Sequence, residues 1–349
     1  MRVVITGATG NVGTSLLQAL SDEPAVQEIV AVARRAPRRS YPRTRFVAAD
    51  VARDPLAPIF AGADAVVHLA WLIQPGRDES VTRAVNLTGS ERVFRAVAEA
   101  RVRSLVYASS VGAYSAGPKD RAVDESWPTG GISSSFYSRH KSTAERLLDR
   151  LEQEHPQLRV VRMRPGLIFK REAATEIRRL FAGPLVPGAL VRPALIPIVP
   201  AHPRLRFQAV HSLDVGEAYR LAIISDARGA FNLAADPPLG PPELASVLRA
   251  RPVRMPAALI RGAAALTYAL RLQPTEPGWV DMGLGVPLMA CARARAELGW
   301  IPRRSARDAL ADLISGLAAG ADLDTPPLAR STSGPARVRE FMTGVGGRP

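Results

Sequence analysis

The sequence predicts an α/β fold, a doubly wound parallel sheet with a smaller C-terminal lobe. Three observations predict it. Short β-branched apolar runs alternate with longer helical patterns through the first half. A glycine-rich turn follows the first of these runs and leads straight into a helical pattern. Near residue 166 the alternation gives way to a stretch crowded with proline and glycine.

The expected strands are 2–6 (RVVIT), 28–33 (EIVAVA), 46–50 (FVAAD), 65–70 (AVVHLA), 104–110 (SLVYASS) and 159–165 (RVVRMRP). Each is nearly continuous in apolar character, as suits a parallel sheet covered on both faces. Helices are expected over 12–21, 80–101 and 136–154. This order of elements gives a doubly wound sheet. Segment 183–203 reads as an irregular connection or a substrate-side loop. Beyond it, helices are expected over 212–225, 241–250, 255–272 and 305–319, with a short strand at 229–235. The apolar stretch 256–272 is interrupted by Arg261 and reads as a helix packed on the second lobe rather than a membrane anchor. The expected organisation is a nucleotide-binding domain over 1–165, then a substrate lobe over 166–323 with segments returning to the first domain. A disordered tail is expected over 324–349.

With 349 residues, 47% of them hydrophobic, the chain can bury a large core. One cysteine, Cys291, excludes an internal disulfide and a cysteine metal cluster, and no metal is implied. No uncharged apolar run reaches the length of a spanning helix, and no secretory signal opens the chain, so a cytoplasmic protein without membrane insertion is expected. The net charge of +14 invites a nucleic-acid reading. It is set aside because only three of the 46 basic residues are lysine, the arginines are scattered, and aromatics make up only 5%. An anionic small-molecule substrate or a phosphorylated cofactor is the better use for some of that charge.

The glycine turn is Gly7-Ala8-Thr9-Gly10-Asn11-Val12-Gly13. Such spacing allows a tight turn and close helix packing, and it points helix amides at a pyrophosphate. The second strand ends at Ala33-Arg34-Arg35, without the carboxylate that an NAD site places near the ribose hydroxyls. Ala33 leaves room for a 2′-phosphate and Arg34 can pair with it, so among NAD(P) cofactors NADP is favoured over NAD. Asp50 and Val51 are candidates to receive the adenine. Leu69 and Ala70 are small apolar groups able to approach the cofactor.

Tyr137 and Lys141 stand at i and i+4, on one face of a helix. A phenol titrates near about 10, and a cation within reach lowers it by roughly one to three units. Tyr137 can then exchange a proton with an alcohol or carbonyl. Ser110 is the preferred hydroxyl to polarise the same oxygen, with Ser109 as the neighbouring alternative. His140, between the pair, reads as a surface or packing residue.

These elements resemble the extended short-chain dehydrogenase/reductases, the NAD-dependent epimerase/dehydratase family, over about residues 1–320. The resemblance is carried by GATGNVG, DV at 50–51, HLA at 68–70, NLTGS at 86–90, YASSVGAY at 107–114, YSRHK at 137–141, RPG at 164–166, VHSLDVGEA at 210–218, FNL at 231–233 and ARAELGW at 294–300. It implies a Rossmann domain with a C-terminal substrate domain. It also implies Tyr137 as catalytic acid/base, Lys141 as its partner and Ser110 as the polarising hydroxyl. Pro165 and Gly166 would lie beside the nicotinamide, and helices 80–101 and 136–154 would join a homodimer.

Within that family, a 4,6-dehydratase would require an acid pair where Val111 and Gly112 stand, so dehydration is disfavoured. A nucleotide-sugar epimerase is the alternative, weakened because segment 206–211 reads RFQAVH, without the expected aspartate and with Arg206 one position out of place. A carbonyl reductase or alcohol dehydrogenase fits the remaining residues best. Trp71, Leu72, Ile73 and the run 185–199 are candidates to line an apolar pocket, and Arg164, Arg171, Arg178, Arg179 and Arg192 to meet an anionic substrate. A non-catalytic NAD(P) sensor is a hypothesis of another class, opposed by the intact Ser110, Tyr137 and Lys141, and membrane-associated sterol-type oxidation is a third reading that rests only on 256–272.

Overall fold

Runs of β-branched residues fold into one seven-stranded sheet in a computed structural model that describes residues 1–73, 78–181 and 196–329. Its strands, β1 to β7 in chain order, are Arg2–Thr6, Glu28–Ala33, Thr44–Ala48, Ala65–His68, Ser104–Ala108, Arg159–Pro165 and Gly229–Leu233. They are parallel throughout, in the order β7-β6-β5-β4-β1-β2-β3. This is a Rossmann-like sheet, and its order reverses between β1 and β4, where a crevice opens beyond the strand ends. Six of the seven expected strands start at the expected residue. The exception is β3, which begins two residues early. Arg43, with a positive φ of 53°, donates to the carbonyls of Leu20, Ser21, Glu23 and Val26, and this anchor starts the strand at Thr44.

Helix Asn11–Leu20 packs against helix Ser212–Ile224 backbone to backbone. A Cβ on Gly216 would come within 2.7 Å of the Ser15 carbonyl. The expected helix 80–101 begins at Glu79, capped by the Asp78 carboxylate, and widens through a π-helical turn at Ala84–Gly89 before continuing as Ser90–Glu99. Such widened turns often mark functional sites. Here the turn presents Asn86, whose amide group exchanges two hydrogen bonds with the Leu72 backbone, at 2.8 and 2.9 Å. Helix Phe136–Glu154 matches its expected bounds.

The second lobe contains strands that the sequence reading did not identify. Leu167–Phe169, Phe207–His211 and Ala235–Leu239 form a three-stranded sheet under helix Ala306–Ala319. The last strand holds Pro237 and Pro238, which argue against a strand unless it lies at a sheet edge, as it does here. Helix Ala257–Ala269 forms as expected but does not pack as expected, since none of its residues is buried. The expected tail begins too early: Leu328 is fully buried, with Thr325 and Ala329 buried beside it. The remainder of that tail, 330–349, and residues 183–195 of the Pro-rich segment lie outside the described residues.

His68 closes β4 in the centre of the sheet. Its Nδ1 lies 2.7 Å from Thr6 Oγ1 and its Nε2 2.9 Å from Ser90 Oγ. Burial, with the nearby Lys141 charge, pulls its pKa down to about 3. The unfolded chain therefore takes up a proton near pH 6.5 that the native chain refuses until about pH 3. Stability falls as pH drops through that window, by about 1.4 kcal/mol per unit from this group. Denaturant melts of His68→Asn between pH 7 and pH 4 are expected to lose that share of the slope.

Candidate active site

The glycine turn sits at the sheet's switch point. Gly7 adopts a φ of 75°, and its amide donates to Val32 O at 2.9 Å. A Cβ there would lie 2.6 Å from the Ala70 amide nitrogen and 2.7 Å from the Leu69 carbonyl carbon, so only glycine lets β4's exit pass this close. A Cβ on Gly13 would strike Ala8 O at 2.5 Å, while Gly10 meets nothing nearer than 3.5 Å. Gly10 is the N-cap of helix Asn11–Leu20, and no side chain caps that helix. The amides of Asn11, Val12 and Gly13 therefore stand in its first turn, where an anion is favoured. Thr9 is buried within the turn.

The other residues expected to touch a cofactor stand at or just beyond the ends of the parallel strands. Arg34 is exposed just past β2. Asp50 lies two residues past β3, where its carboxylate accepts from the Ala52 amide at 3.0 Å. Val51 is buried beside it. Leu69 and Ala70 leave β4, with Leu69 N–H bonded to Thr6 O at 3.0 Å. Pro165 ends β6, and Gly166 follows so closely on Gln208 that a Cβ would come within 2.4 Å of its carbonyl oxygen.

Ser110 caps a short turn at the end of β5, its hydroxyl accepting from Gly112 N–H at 3.0 Å. It also stands close enough to the Tyr137 phenol to draw that group's pKa down. Ser109 is engaged elsewhere, donating to Glu145 Oε1 at 2.5 Å. Ser110 is therefore the hydroxyl beside Tyr137. Gly112 makes room for the phenol ring, since a Cβ would lie 2.9 Å from Tyr137 Cε1. A side chain at this position is incompatible with this placement of the ring.

Lys141 is buried one turn along. Its Nζ donates to Ala108 O at 2.6 Å and lies 3.4 Å from the centre of the Trp71 ring. Its distance to the Tyr137 ring centre is 5.8 Å. The expected lowering of the tyrosine by its lysine is not what this arrangement gives. Burial pushes Tyr137 up to about 12, and the Ser110 hydroxyl pulls it back only in part. Lys141 itself is driven well below its ordinary value by burial, with Glu145 opposing.

An aromatic wall surrounds the phenol. Trp71 meets Tyr137 edge-on at 6.1 Å, and Trp279 lies tilted over it at 5.0 Å. Phe181 meets Trp279 edge-on at 5.4 Å. Trp279 and Met282 arrive on helix Gly278–Gly285, seated on the start of the Tyr137 helix through Gly278, where a Cβ would lie 2.2 Å from Ser134 O. Of the apolar candidates, Trp71 thus faces the site and Leu72 is held by Asn86. Residues 185–195 lie outside the described residues.

Behind the site is a buried ionic knot. Glu145 accepts from Arg164 Nε at 2.9 Å and Nη2 at 3.0 Å, and from Arg162 Nη1 at 3.0 Å. Those guanidinium groups hold its carboxyl below the usual range against the opposing effect of burial. Arg164 also donates to Tyr114 Oη at 3.0 Å, and Tyr114 to Asn232 Oδ1 at 2.7 Å. Arg164 is therefore not a substrate-facing arginine: it is buried and fully engaged. Arg171 reaches Ser315 Oγ instead. The side chain of Arg179 and all of Arg192 lie outside the described residues. His140 is buried rather than at the surface, 3.1 Å from Glu79 and edge-on to Phe136.

The model of the NAD-dependent epimerase/dehydratase family matches residues 3–183. The chain belongs to that family. The epimerase/dehydratase match spans the glycine turn, Ser110, Tyr137 and Lys141 in one run, and it makes the chain an NAD(P)-dependent enzyme of oxidoreductase type. An uncharacterized protein of Mycobacterium tuberculosis is 26% identical over 331 residues, covering 90% of this chain and 83% of that one. A 4-hydroxy-2-methyl-3-oxo-4-farnesyl-3,4-dihydroquinoline-1-oxide ketoreductase of Stigmatella aurantiaca is 28% identical over 182 residues, covering 48% of this chain and 51% of that one. Among solved structures, the NAD complex of Thermus thermophilus UDP-glucose 4-epimerase shares the fold with a TM-score of 0.67 and 20% identity, covering 91% and 99% of the two chains.

Sequence reasoning passed over Glu145, Trp279 and Met282, and it quoted Asn86 only within NLTGS at 86–90 without a role. Glu145 carried one available signal, since it follows Lys141 by four residues on the same helix face. Trp279 carried none, because it is distant in sequence and reaches Tyr137 only through tertiary packing. Glu145→Ala is expected to lower stability by about 3–5 kcal/mol by leaving the buried Arg164 guanidinium without its anion, while Arg162 keeps Asp149 and Glu152. Urea unfolding of the variant against the parent chain measures it.

Proposed function

We propose that this enzyme transfers a hydride between NADP(H) and a secondary alcohol, ketone or aldehyde of a small, largely apolar molecule. The observation that carries the reading is the junction of Ser110 and Tyr137 inside a wall of Trp71, Trp279 and Phe181. The lining around the phenol is aromatic, which suits an apolar carbonyl compound better than a sugar diphosphate. The Stigmatella relative, a ketoreductase by name, points the same way.

The glycine turn fits a dinucleotide. Gly7 and Gly13 have no room for a Cβ, and the uncapped helix start offers amides to a pyrophosphate. Gly7, Thr9, Gly10, Asn11, Val12 and Gly13 would hold the phosphates. Arg34 would read a 2′-phosphate, Asp50 and Val51 the adenine, Leu69 and Ala70 the middle of the cofactor, and Pro165 and Gly166 the nicotinamide. When bound, that cofactor supplies or accepts the hydride.

This chain's own residues manage the proton. Ser110 and the Tyr137 hydroxyl address one substrate oxygen. Tyr137, pushed up to about 12, keeps its proton at neutral pH and can hand it to a carbonyl oxygen that gains negative charge. The phenolate left behind favours the protonated form of Lys141, one turn along, against the burial that lowers its pKa. Excluding water from this site strengthens both effects.

Two measurements test the reading. Titrations followed by nicotinamide fluorescence are expected to show tighter binding of NADPH than NADH, and Arg34→Ser is expected to erase the difference. Tightly retained NAD would instead favour nucleotide-sugar epimerisation. Tyr137→Phe is expected to lower kcat for ketone reduction by about 10²–10⁴-fold while leaving NADPH affinity unchanged. Unaltered turnover would remove Tyr137 from the chemistry.

A further inference from the structure

Helix Ala257–Ala269 turns an apolar face outward. Leu259, Leu266 and Leu270 are spaced by seven and four residues, which places them in one line along the helix and its C-terminal end. They are 59%, 60% and 59% exposed, and Leu272 just beyond is 49% exposed. Gly262, beside this line, has open space where a Cβ would stand. The helix carries a single charge, Arg261, about half a turn away, and its guanidinium pairs with Asp281 of helix Gly278–Gly285 at 2.9 Å. The charged side therefore faces the protein and the leucines face away.

The surroundings are cationic. Residues 244–275 contain five arginines and no aspartate or glutamate. Arg249, Arg251 and Arg254 precede the helix, Arg271 follows it, and all four are exposed. The whole chain carries a net charge of +14. Exposed leucines scattered singly need no explanation, but a line of them flanked by arginines at both ends does.

We propose that this helix docks the protein on the surface of an anionic bilayer. Its leucines would enter the boundary between headgroups and acyl chains, and the flanking arginines would meet lipid phosphates. The helix has 13 residues, about 20 Å of length, too short to cross a bilayer, so it lies in the plane. Among the described residues no helix is long and apolar enough to span a membrane. Charge complementarity selects lipid over a second copy of this chain, because two such faces would bring their arginines together. The opposite side of the docked helix joins, through Arg261 and Asp281, the helix that carries Trp279 to the Tyr137 wall. The proposal does not rest on the hydride-transfer reading, and it is tested without turnover.

The full chain is floated with vesicles of phosphatidylcholine alone and of phosphatidylcholine with phosphatidylglycerol. Binding is expected to the anionic vesicles only, and to weaken as salt rises. Combining Leu259→Ser, Leu266→Ser and Leu270→Ser is expected to weaken it about tenfold or more, with melting temperature and NADPH binding unchanged. Combining Arg251→Gln, Arg254→Gln and Arg271→Gln is expected to abolish the preference for anionic lipid. The proposal is overturned if the parent chain does not float, or if the leucine variant floats as well as the parent. It is equally overturned if light scattering shows parent chains pairing through this face and the leucine variant separating them.

Discussion

Glu145 is a carboxylate with no exposure to water, and burying such a charge is tolerable only where donors surround it. Arg164, Arg162 and Ser109 supply those donors. Two of them belong to β6 and one lies just past β5, while Glu145 belongs to helix Phe136–Glu154. The knot therefore locks the helix against the two strands at one rotation and one height. Tyr137, Lys141 and Glu145 are four residues apart in turn, so fixing the last fixes the direction of the other two. The meeting of Tyr137 with Ser110 follows from that anchor, and Arg164 extends it through Tyr114 to Asn232 on β7.

The second constraint is backbone proximity. At the switch point, the exits of β1 and β4 run so close together that Gly7 has no room for a side chain. The same demand recurs at Gly13, Gly166, Gly216 and Gly278, each pressed against a backbone carbonyl. These contacts bring helix Asn11–Leu20, the strand after Pro165 and helix Gly278–Gly285 into one crevice. Asn86 completes the frame by holding Leu72, next to the Trp71 that covers Lys141.

The arginine excess also gains a structural reading. Arg43 ties a loop to a helix end, Arg92 donates to carbonyls of Val51, Arg53 and Asp54, and Arg159 to those of Ala222, Ile223 and Ala227. Arg204 binds the carbonyls of Leu284 and Gly117, and Lys119 those of Arg206 and Gly283. These side chains terminate loops by satisfying buried or half-buried acceptors. Five donors in a planar fork let one arginine serve several carbonyls at once, which a lysine does less well. The arginines flanking helix Ala257–Ala269 stand apart from this pattern in bordering an exposed apolar line.

The sequence by itself determined the parallel sheet, the glycine turn and the helix bearing Tyr137 and Lys141, because each is a local pattern. Continuous β-branched runs favour strands between two helical layers, glycines permit one turn geometry, and an i, i+4 pair needs only a helix. Even the choice between Ser109 and Ser110 was legible as a preference, though only the bond from Ser109 to Glu145 explains it. The tertiary structure alone decided the rest. It buried Arg164 away from any substrate, brought Trp279 across from the C-terminal half, and raised rather than lowered the Tyr137 phenol. The physical reason is shared by all three. Desolvation and long-range packing depend on which distant residues arrive beside a group, and no spacing along the chain encodes that.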